Sequence, residues 1–289
     1  MAEDREILRE IWEGRLPVCF TLATEEVSTP IAPDPFYLMV PRLTYFPLVT
    51  DKVRRHFVRC VVPEKHDNEM WLEFEKFPLK WYFFDILKNK YFSIQYICRH
   101  YPIGLIYDLL VTNSELPWQI TVHFDKYPDN KLLKCPSKDV VESHLMHSLK
   151  EADALKHKNH IMALMQERDH KQLWLGLLHD RFDQFWSANR KLMEHSAEDG
   201  FRYIPFRLYA PQLTSKPFMQ YLVKSIENEK RLTLEDLLQR ANLNFESKGP
   251  FQVVIHGIDL PLETPLQWIS EHLSYPDNFL HLCIRYSSP

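Results

Sequence analysis

Fourteen histidines are spread along the 289 residues, and two pairs, His144/His147 and His157/His160, stand at the i, i+3 spacing that lets one helix face offer two imidazoles to a zinc ion. Neither pair has a cysteine or carboxylate at a spacing that completes such a set, so surface helical histidines explain them and a His-rich metal-binding enzyme is kept only as the rival reading. The five cysteines (Cys19, Cys60, Cys98, Cys135, Cys283) are odd in number, far apart and free of any CxxC pair, which suggests neither a disulfide framework nor a zinc ribbon and fits a reducing compartment. No GxSxG string or recognisable Cys/His setting offers a nucleophile. The six glycines form no GxGxxG or GxxxxGK[ST] loop, which argues against nucleotide chemistry, and no cofactor is expected.

Amines and charges offer more. An exposed lysine can attack an activated thioester, and Lys138, Lys150, Lys156 and Lys158 share one helical stretch. At about 100° per residue Lys150 lies on the far side of the helix from Val141, facing solvent. Physics alone leaves the other three lysines open. Lys52, Arg54, Arg55, His56 and Arg59 make a basic helical face that could meet anionic lipid or an acidic partner, against the plain reading of a solvated face. Ile7, Leu8, Ile11 and Trp12 make an apolar stripe that serves either internal packing or a partner groove.

The elements that must position these groups follow from composition and pattern. With 45% hydrophobic and 13% aromatic residues the chain should fold into two to three compact domains, and its net charge of -4 with pI ≈ 6.4 lacks the basic footprint of a nucleic-acid binder. The charged start, Met-Ala-Glu-Asp-Arg-Glu, has no signal-peptide core, and the aromatic stretch 82–98 is broken by Asp85, Lys88, Asn89 and Lys90, so a cytosolic chain is expected. A first helix should end at Gly14. Apolar runs at 17–22 and 36–40, a helix near 48–58, a strand at 71–74, a Pro-Leu-Lys-Trp segment at 78–81, a short helix at 103–110 and a strand at 118–124 follow. From Ser137 the pattern turns helical: Val141, Leu145, Ser148, Ala152 and Leu155 form one stripe, Ile161, Leu164 and Met165 a second helix, and Phe182, Phe185, Trp186 and Leu192 a third.

After Gly200 the first order returns. Strands are predicted at 201–209 and 218–226, a helix opened by Thr233, a strand at 252–258, a helix with Thr264 as N-cap and Pro265 at N1, and a last strand at 279–284. Pro78-Leu79-Lys80-Trp81 answers Pro265-Leu266-Gln267-Trp268, and with the element order this predicts a duplicated β-grasp, the ubiquitin-like fold. The fold class is α+β: a short N-terminal helix (1–14), a ubiquitin-like domain (15–126), a helix-rich domain (137–196) and a second ubiquitin-like domain (200–289).

The strings Leu149-Lys150-Glu151-Ala152-Asp153-Ala154-Leu155-Lys156-His157-Lys158, Asp180-Arg181-Phe182-Asp183-Gln184-Phe185-Trp186, Phe201-Arg202-Tyr203-Ile204-Pro205-Phe206-Arg207 and Ser274-Tyr275-Pro276-Asp277-Asn278-Phe279-Leu280-His281 closely resemble the autophagy protein 5 family, nearly end to end. The resemblance implies a cytosolic, non-catalytic scaffold that receives the ubiquitin-like modifier autophagy protein 12 through an isopeptide bond, and Lys150 matches the acceptor motif. It also implies a groove near Ile7, Ile11 and Trp12 for a helix of autophagy protein 16. The conjugate would work with the conjugating enzymes of the autophagy system like a ubiquitin ligase, promoting lipidation of autophagy protein 8 at the phagophore membrane. One departure is plain: residues 82–99 stand between Trp81 and His100, which the family joins directly. A G-T-A at the Trp81–Tyr82 codons and an AGG codon for Arg99 would frame a retained intron; a peripheral loop insertion is the other reading.

Overall fold

The computed structural model describes residues 2–79, 101–111, 115–129, 137–195 and 200–286. These fall into two compact units, one bounded as Met1–Gly14, Gly104–Thr112 and Glu142–Pro289, the other as Arg15–Ile103 and Asn113–Val141. The insertion 82–99 lies outside the described residues.

Helix α1 spans Ala2–Glu13 and ends where Gly14 N–H closes on Ile11 O. The first sheet holds β1 (Arg15–Leu22), β2 (Phe36–Pro41), β3 (Trp71–Phe74), β4 (Phe77–Pro78) and β5 (Trp118–His123) in the order β2-β1-β5-β3-β4. Leu16, Val18, Phe20 and Leu22 of β1 are all buried, the two-residue period that puts one strand face on a core. Across that face runs α2 (Phe46–Phe57), with proline in its first turn and Phe46, Val53 and Phe57 turned inward. β1 and β5 are parallel neighbours and each is flanked by an antiparallel strand, the β-grasp order. The short helix α3 (Ile103–Leu110) precedes β5 in the chain.

The middle of the chain is helical: α4 (Lys138–His157), α5 (His160–Leu164), α6 (Glu167–Leu178) and α7 (Phe182–Asn189). Helix α6 was not legible as a helix of its own, although Gln166 N–H donates to Asp169 Oδ2 at 3.2 Å in a Gln-x-x-Asp start. Between α6 and α7 the backbones meet at Gly176: a Cβ there would lie 2.5 Å from Phe185 N and 2.7 Å from Phe185 Cα. Backbone cannot swing aside as a side chain can. Gly176→Ala is therefore expected to lower unfolding free energy by about 3 kcal/mol, measurable by urea denaturation.

The second sheet holds β6 (Phe206–Tyr209), β9 (Phe251–Ile255), β10 (Ile258–Asp259) and β11 (Leu280–Tyr286) in the order β10-β9-β11-β6; β7 (Ile226–Glu227) and β8 (Lys230–Arg231) form a separate hairpin. Helix α8 (Leu234–Arg240) opens on Thr233, whose hydroxyl accepts from Asp236 N–H, and α9 (Leu266–His272) precedes the last strand. β6 and β11 are parallel and β9 is antiparallel to β11, so the first sheet's order returns.

Sequence expectations need correction at several points: the run 252–258, for one, is a hairpin, with the chain turning at His256-Gly257 so that β10 pairs back on β9. The stretch 218–226 is not a regular strand: Leu208 and Met219 exchange both main-chain hydrogen bonds at 2.9 and 2.8 Å and Ile204 N–H reaches Val223 O, but these bonds are all that join it to β6 and its approach, too few for a ladder. The Pro-Leu-x-Trp correspondence is out of register. Leu79 N–H donates to Leu72 O, and Leu260 N–H donates to Val253 O, so Leu79 answers Leu260, while Pro265-Leu266 opens α9, the counterpart of α3. Thr264 is no N-cap either: its hydroxyl turns back to Pro261 O, and Pro265 occupies the cap.

Candidate conjugation and partner-binding surfaces

Helix α4 sorts its lysines by angle. Val141, Leu145, Leu149 and Ala152 are buried along one side, and Lys150 stands exposed among the exposed Ser143, His147 and Ala154. Lys138 is tied to Asp51 at 2.7 Å, and Lys158, exposed, sits just past the helix at φ +58°. Lys156 is the surprise: Leu155, expected on the apolar stripe, is half-buried and Lys156 is buried in its stead. Its ammonium lies 4.3 Å from the centroid of the Phe201 ring and 3.1 Å from Met193 Sδ. Burial drives its pKa from 10.5 down to about 7, against the opposing pull of Glu271, Asp153 and Asp277. An amine held there cannot approach a thioester on another protein.

That burial carries a pH signature. Below pH 7 the folded chain holds the charge in its interior at full cost; between 7 and 10.5 the folded amine is neutral while the unfolded one is charged, so the cost shrinks as pH rises. Lys156→Met should therefore stabilise the protein by about 1–4 kcal/mol below pH 7 and lose that advantage toward pH 10.5. Denaturant titrations across this range decide it, and a pH-independent gap contradicts the assignment.

The turn of α4 that bears Lys150 is anchored to the second sheet by buried charges. Arg207, on β6 and 1% exposed, reaches Glu151 Oε2 at 3.3 Å and Asp277 Oδ2 at 3.4 Å while its guanidinium stacks 3.9 Å from the Phe279 ring centroid. Asp277 also accepts from His281 Nε2 at 3.0 Å and from Phe279 N–H at 3.1 Å, and Tyr209 hydroxyl meets His281 Nδ1 at 2.9 Å. Burial alone would raise the Asp277 pKa; His281 and Arg207 outweigh it and hold the carboxyl down to about 2. Sequence reasoning missed this cluster, because Arg207 and Asp277 are joined only by the pairing of β6 with β11.

The stripe on α1 divides. Ile7 and Ile11 line a cavity of about 960 Å³ whose other walls include Ile258, Leu260, Pro265 and Trp268, with His195 and Glu271 paired at 2.6 Å on its rim. Trp12 is not part of it: it is buried, with ring centroids 5.0 Å from Phe185 and 6.0 Å from Phe182. Arg5 and Arg9 converge on Asp183 beside this packing, at 2.7 and 2.8 Å.

The basic face of α2 divides too. Arg54 turns inward, donating to Asn68 O and His66 O with its guanidinium 5.4 Å from the Phe124 ring centroid, while Lys52, Arg55 and Arg59 are exposed. As for metals, no three His, Cys, Asp or Glu side chains converge among the described residues. Both ring nitrogens of His157 are engaged, by Asp153 Oδ1 at 2.9 Å and Glu194 O at 2.8 Å. Among the described residues no helix is long and apolar enough to cross a membrane.

Comparison with known proteins matches three consecutive regions described for autophagy protein ATG5: the UblA domain over residues 11–124, the alpha-helical bundle region over 138–195 and the UblB domain over 203–284. Autophagy protein 5 of Drosophila melanogaster is 45% identical over 289 residues, covering 99% of both chains. Autophagy-related protein 5 of Caenorhabditis elegans is 33% identical, covering 99% of this chain and all of that one. The crystal structure of Kluyveromyces marxianus Atg5 shares the fold, with a TM-score of 0.76 over 97% of this chain and 100% of its own at 21% identity. With two β-grasp sheets and a helical middle laid out in this same order, the chain belongs to the autophagy protein 5 family and has a role in autophagy.

Proposed function

We propose that this chain is the non-catalytic acceptor in a modifier conjugate: Lys150 takes the C-terminus of autophagy protein 12 in an isopeptide bond, delivered by the conjugating enzymes of the autophagy system. The observation that carries the reading is the selection on α4, where Lys150 is exposed, Lys156 is buried and Lys138 is ion-paired, so that Lys158, just past the helix, is the other open amine of the four. An amide forms as the lysine nitrogen displaces the carrier thiol, so the chain need supply only an accessible amine on a rigid support. Its parts are the helix 1–14, the ubiquitin-like domains 15–126 and 200–289, and the helix-rich domain 137–196 between them.

The cavity lined by Ile7 and Ile11 is the seat for an amphipathic helix of autophagy protein 16, whose apolar face would cover Ile258 and Trp268, now 43% and 39% exposed. The assembled conjugate acts like a ubiquitin ligase, promoting transfer of autophagy protein 8 to phosphatidylethanolamine. It works from the cytoplasm after recruitment to the phagophore membrane, a peripheral contact. Lys52, Arg55 and Arg59 add an anion-binding face to this scaffold.

The test is reconstituted lipidation on phosphatidylethanolamine vesicles. The conjugate should stimulate the reaction and the unconjugated chain should not. Ile7→Asp with Ile11→Asp should weaken binding of the partner helix at least 100-fold while the chain still unfolds cooperatively, because both side chains stand half-buried at the cavity wall and not in the core. Equal stimulation by the unconjugated chain, or helix binding untouched by the double variant, contradicts this function.

A further inference from the structure

We propose that the outer edge of β2 receives an extended acidic peptide as an added strand, with its carboxylates drawn to Lys52 and Arg55 on α2 and to Arg59 in the turn that follows it. The site shares no residue with the surface that bears Lys150 or with the cavity at α1.

The edge itself makes the first argument. β2 bonds to β1 on one side, and no other strand or hydrogen bond among the described residues engages its main chain from Phe36 to Val40. Those five residues, Phe-Tyr-Leu-Met-Val, hold no charge, glycine or proline; Pro35 and Pro41 stand only at the two ends of the strand. Natural edge strands are usually protected by lysine, proline, a bulge or a covering element, and an unprotected one is a template for another strand. Tyr37 and Met39 are 65% and 59% exposed at the two-residue spacing of one strand face, lying across from Cys19 and Pro17 of β1. An aromatic and a thioether side by side give an added strand something to pack on.

The charge beside the edge makes the second. His56 Nε2 sits 3.0 Å from Asp34 O and its ring 4.9 Å from that of Phe36, which fastens the C-terminal half of α2 to the start of β2. Lys52 and Arg55 recur one turn apart on α2 and Arg59 follows one turn later, all exposed. Among the described residues none of the three is ion-paired with a carboxylate; Asp34 lies ahead of β2, and Asp51, next to Lys52 in the chain, is held by Lys138. The field beside the edge is thus positive and complements an acidic chain.

These two features together select the occupant. A lipid headgroup would answer the cations but leave the strand's amides and carbonyls unmatched. A second copy would answer the amides, yet β2 carries no carboxylate between Phe36 and Pro41, so pairing two such edges would set one basic helix against another.

The experiment uses the full chain and a fluorescein-labelled probe, Glu-Val-Glu-Trp-Glu-Val-Glu, read by fluorescence anisotropy. Binding is expected, with at least a tenfold loss when the alternate amides of the probe are N-methylated, when Glu is replaced throughout by Lys, and in the variants M39K and K52E/R55E/R59E. The N-methylated probe tests the idea on the unaltered protein. The proposal is overturned if the methylated probe binds equally well, if no acidic probe binds, or if sedimentation shows a dimer that M39K dissolves. It is equally overturned if phosphatidylserine vesicles bind through the three basic residues while the peptide does not.

Discussion

Lys150→Arg is expected to remove the modifier-shifted band in reconstituted conjugation while leaving the melting temperature within about 1 °C and partner-helix binding unchanged. The substitution keeps the charge on an exposed helical face where surface changes cost within about 0.5 kcal/mol. Arginine carries a guanidinium that stays protonated, so it offers no nucleophilic lone pair to a thioester. The loss should be complete. Lys156→Arg should leave the band in place because that amine is enclosed. A band that persists in Lys150→Arg and disappears with Lys158→Arg would move the acceptor to the end of α4.

Asp277→Ala should be the most damaging single change in the second ubiquitin-like domain, lowering unfolding free energy by about 3–5 kcal/mol. It strips Phe279 N–H and His281 Nε2 of their shared acceptor and leaves buried Arg207 with Glu151 alone. The sign of the pH effect follows from a folded-state pKa of about 2 against the ordinary 3.8. The carboxylate's contribution is whole above about pH 4 and is lost as pH falls toward 2, roughly 2 kcal/mol over that window. The difference between wild type and Asp277→Ala should thus narrow in acid. Denaturation by urea between pH 2 and 6 measures it, and a gap that widens as pH falls would show that Asp277 is protonated in the fold.

Much of the architecture was readable because it depends on short-range pattern. The strand at Trp71–Phe74 and the helix at Ile103–Leu110 stand where their apolar spacing put them. What escaped depends on direction or on distance along the chain. At about 100° per residue Leu155 and Lys156 lie on adjacent lines of α4, and which one enters the interior is decided by Phe201 and Met193, residues the helix does not contain. Trp12 and Ile11 are neighbours in sequence yet serve an interior contact and a cavity wall respectively. Arg54 looked like its basic neighbours and is held by the carbonyls of His66 and Asn68. The run 218–226 has strand composition, but a ladder needs successive main-chain bonds to a partner, and this run makes them only at Met219 and Val223.

That last detail bears on valency. A chain with two long adhesive edges could link head to tail without limit, since a heterologous contact that does not close on itself yields filaments. Here the duplicated fold keeps only one such edge among the described residues. In the first sheet β2 is open, whereas in the second the corresponding side of β6 is already occupied by Met219 and the main chain around Val223. The remaining borders, β4 and β10, are two residues long each, too short to hold a strand. Strand addition of the kind proposed therefore stops after a single guest, where a polyvalent edge would build a network.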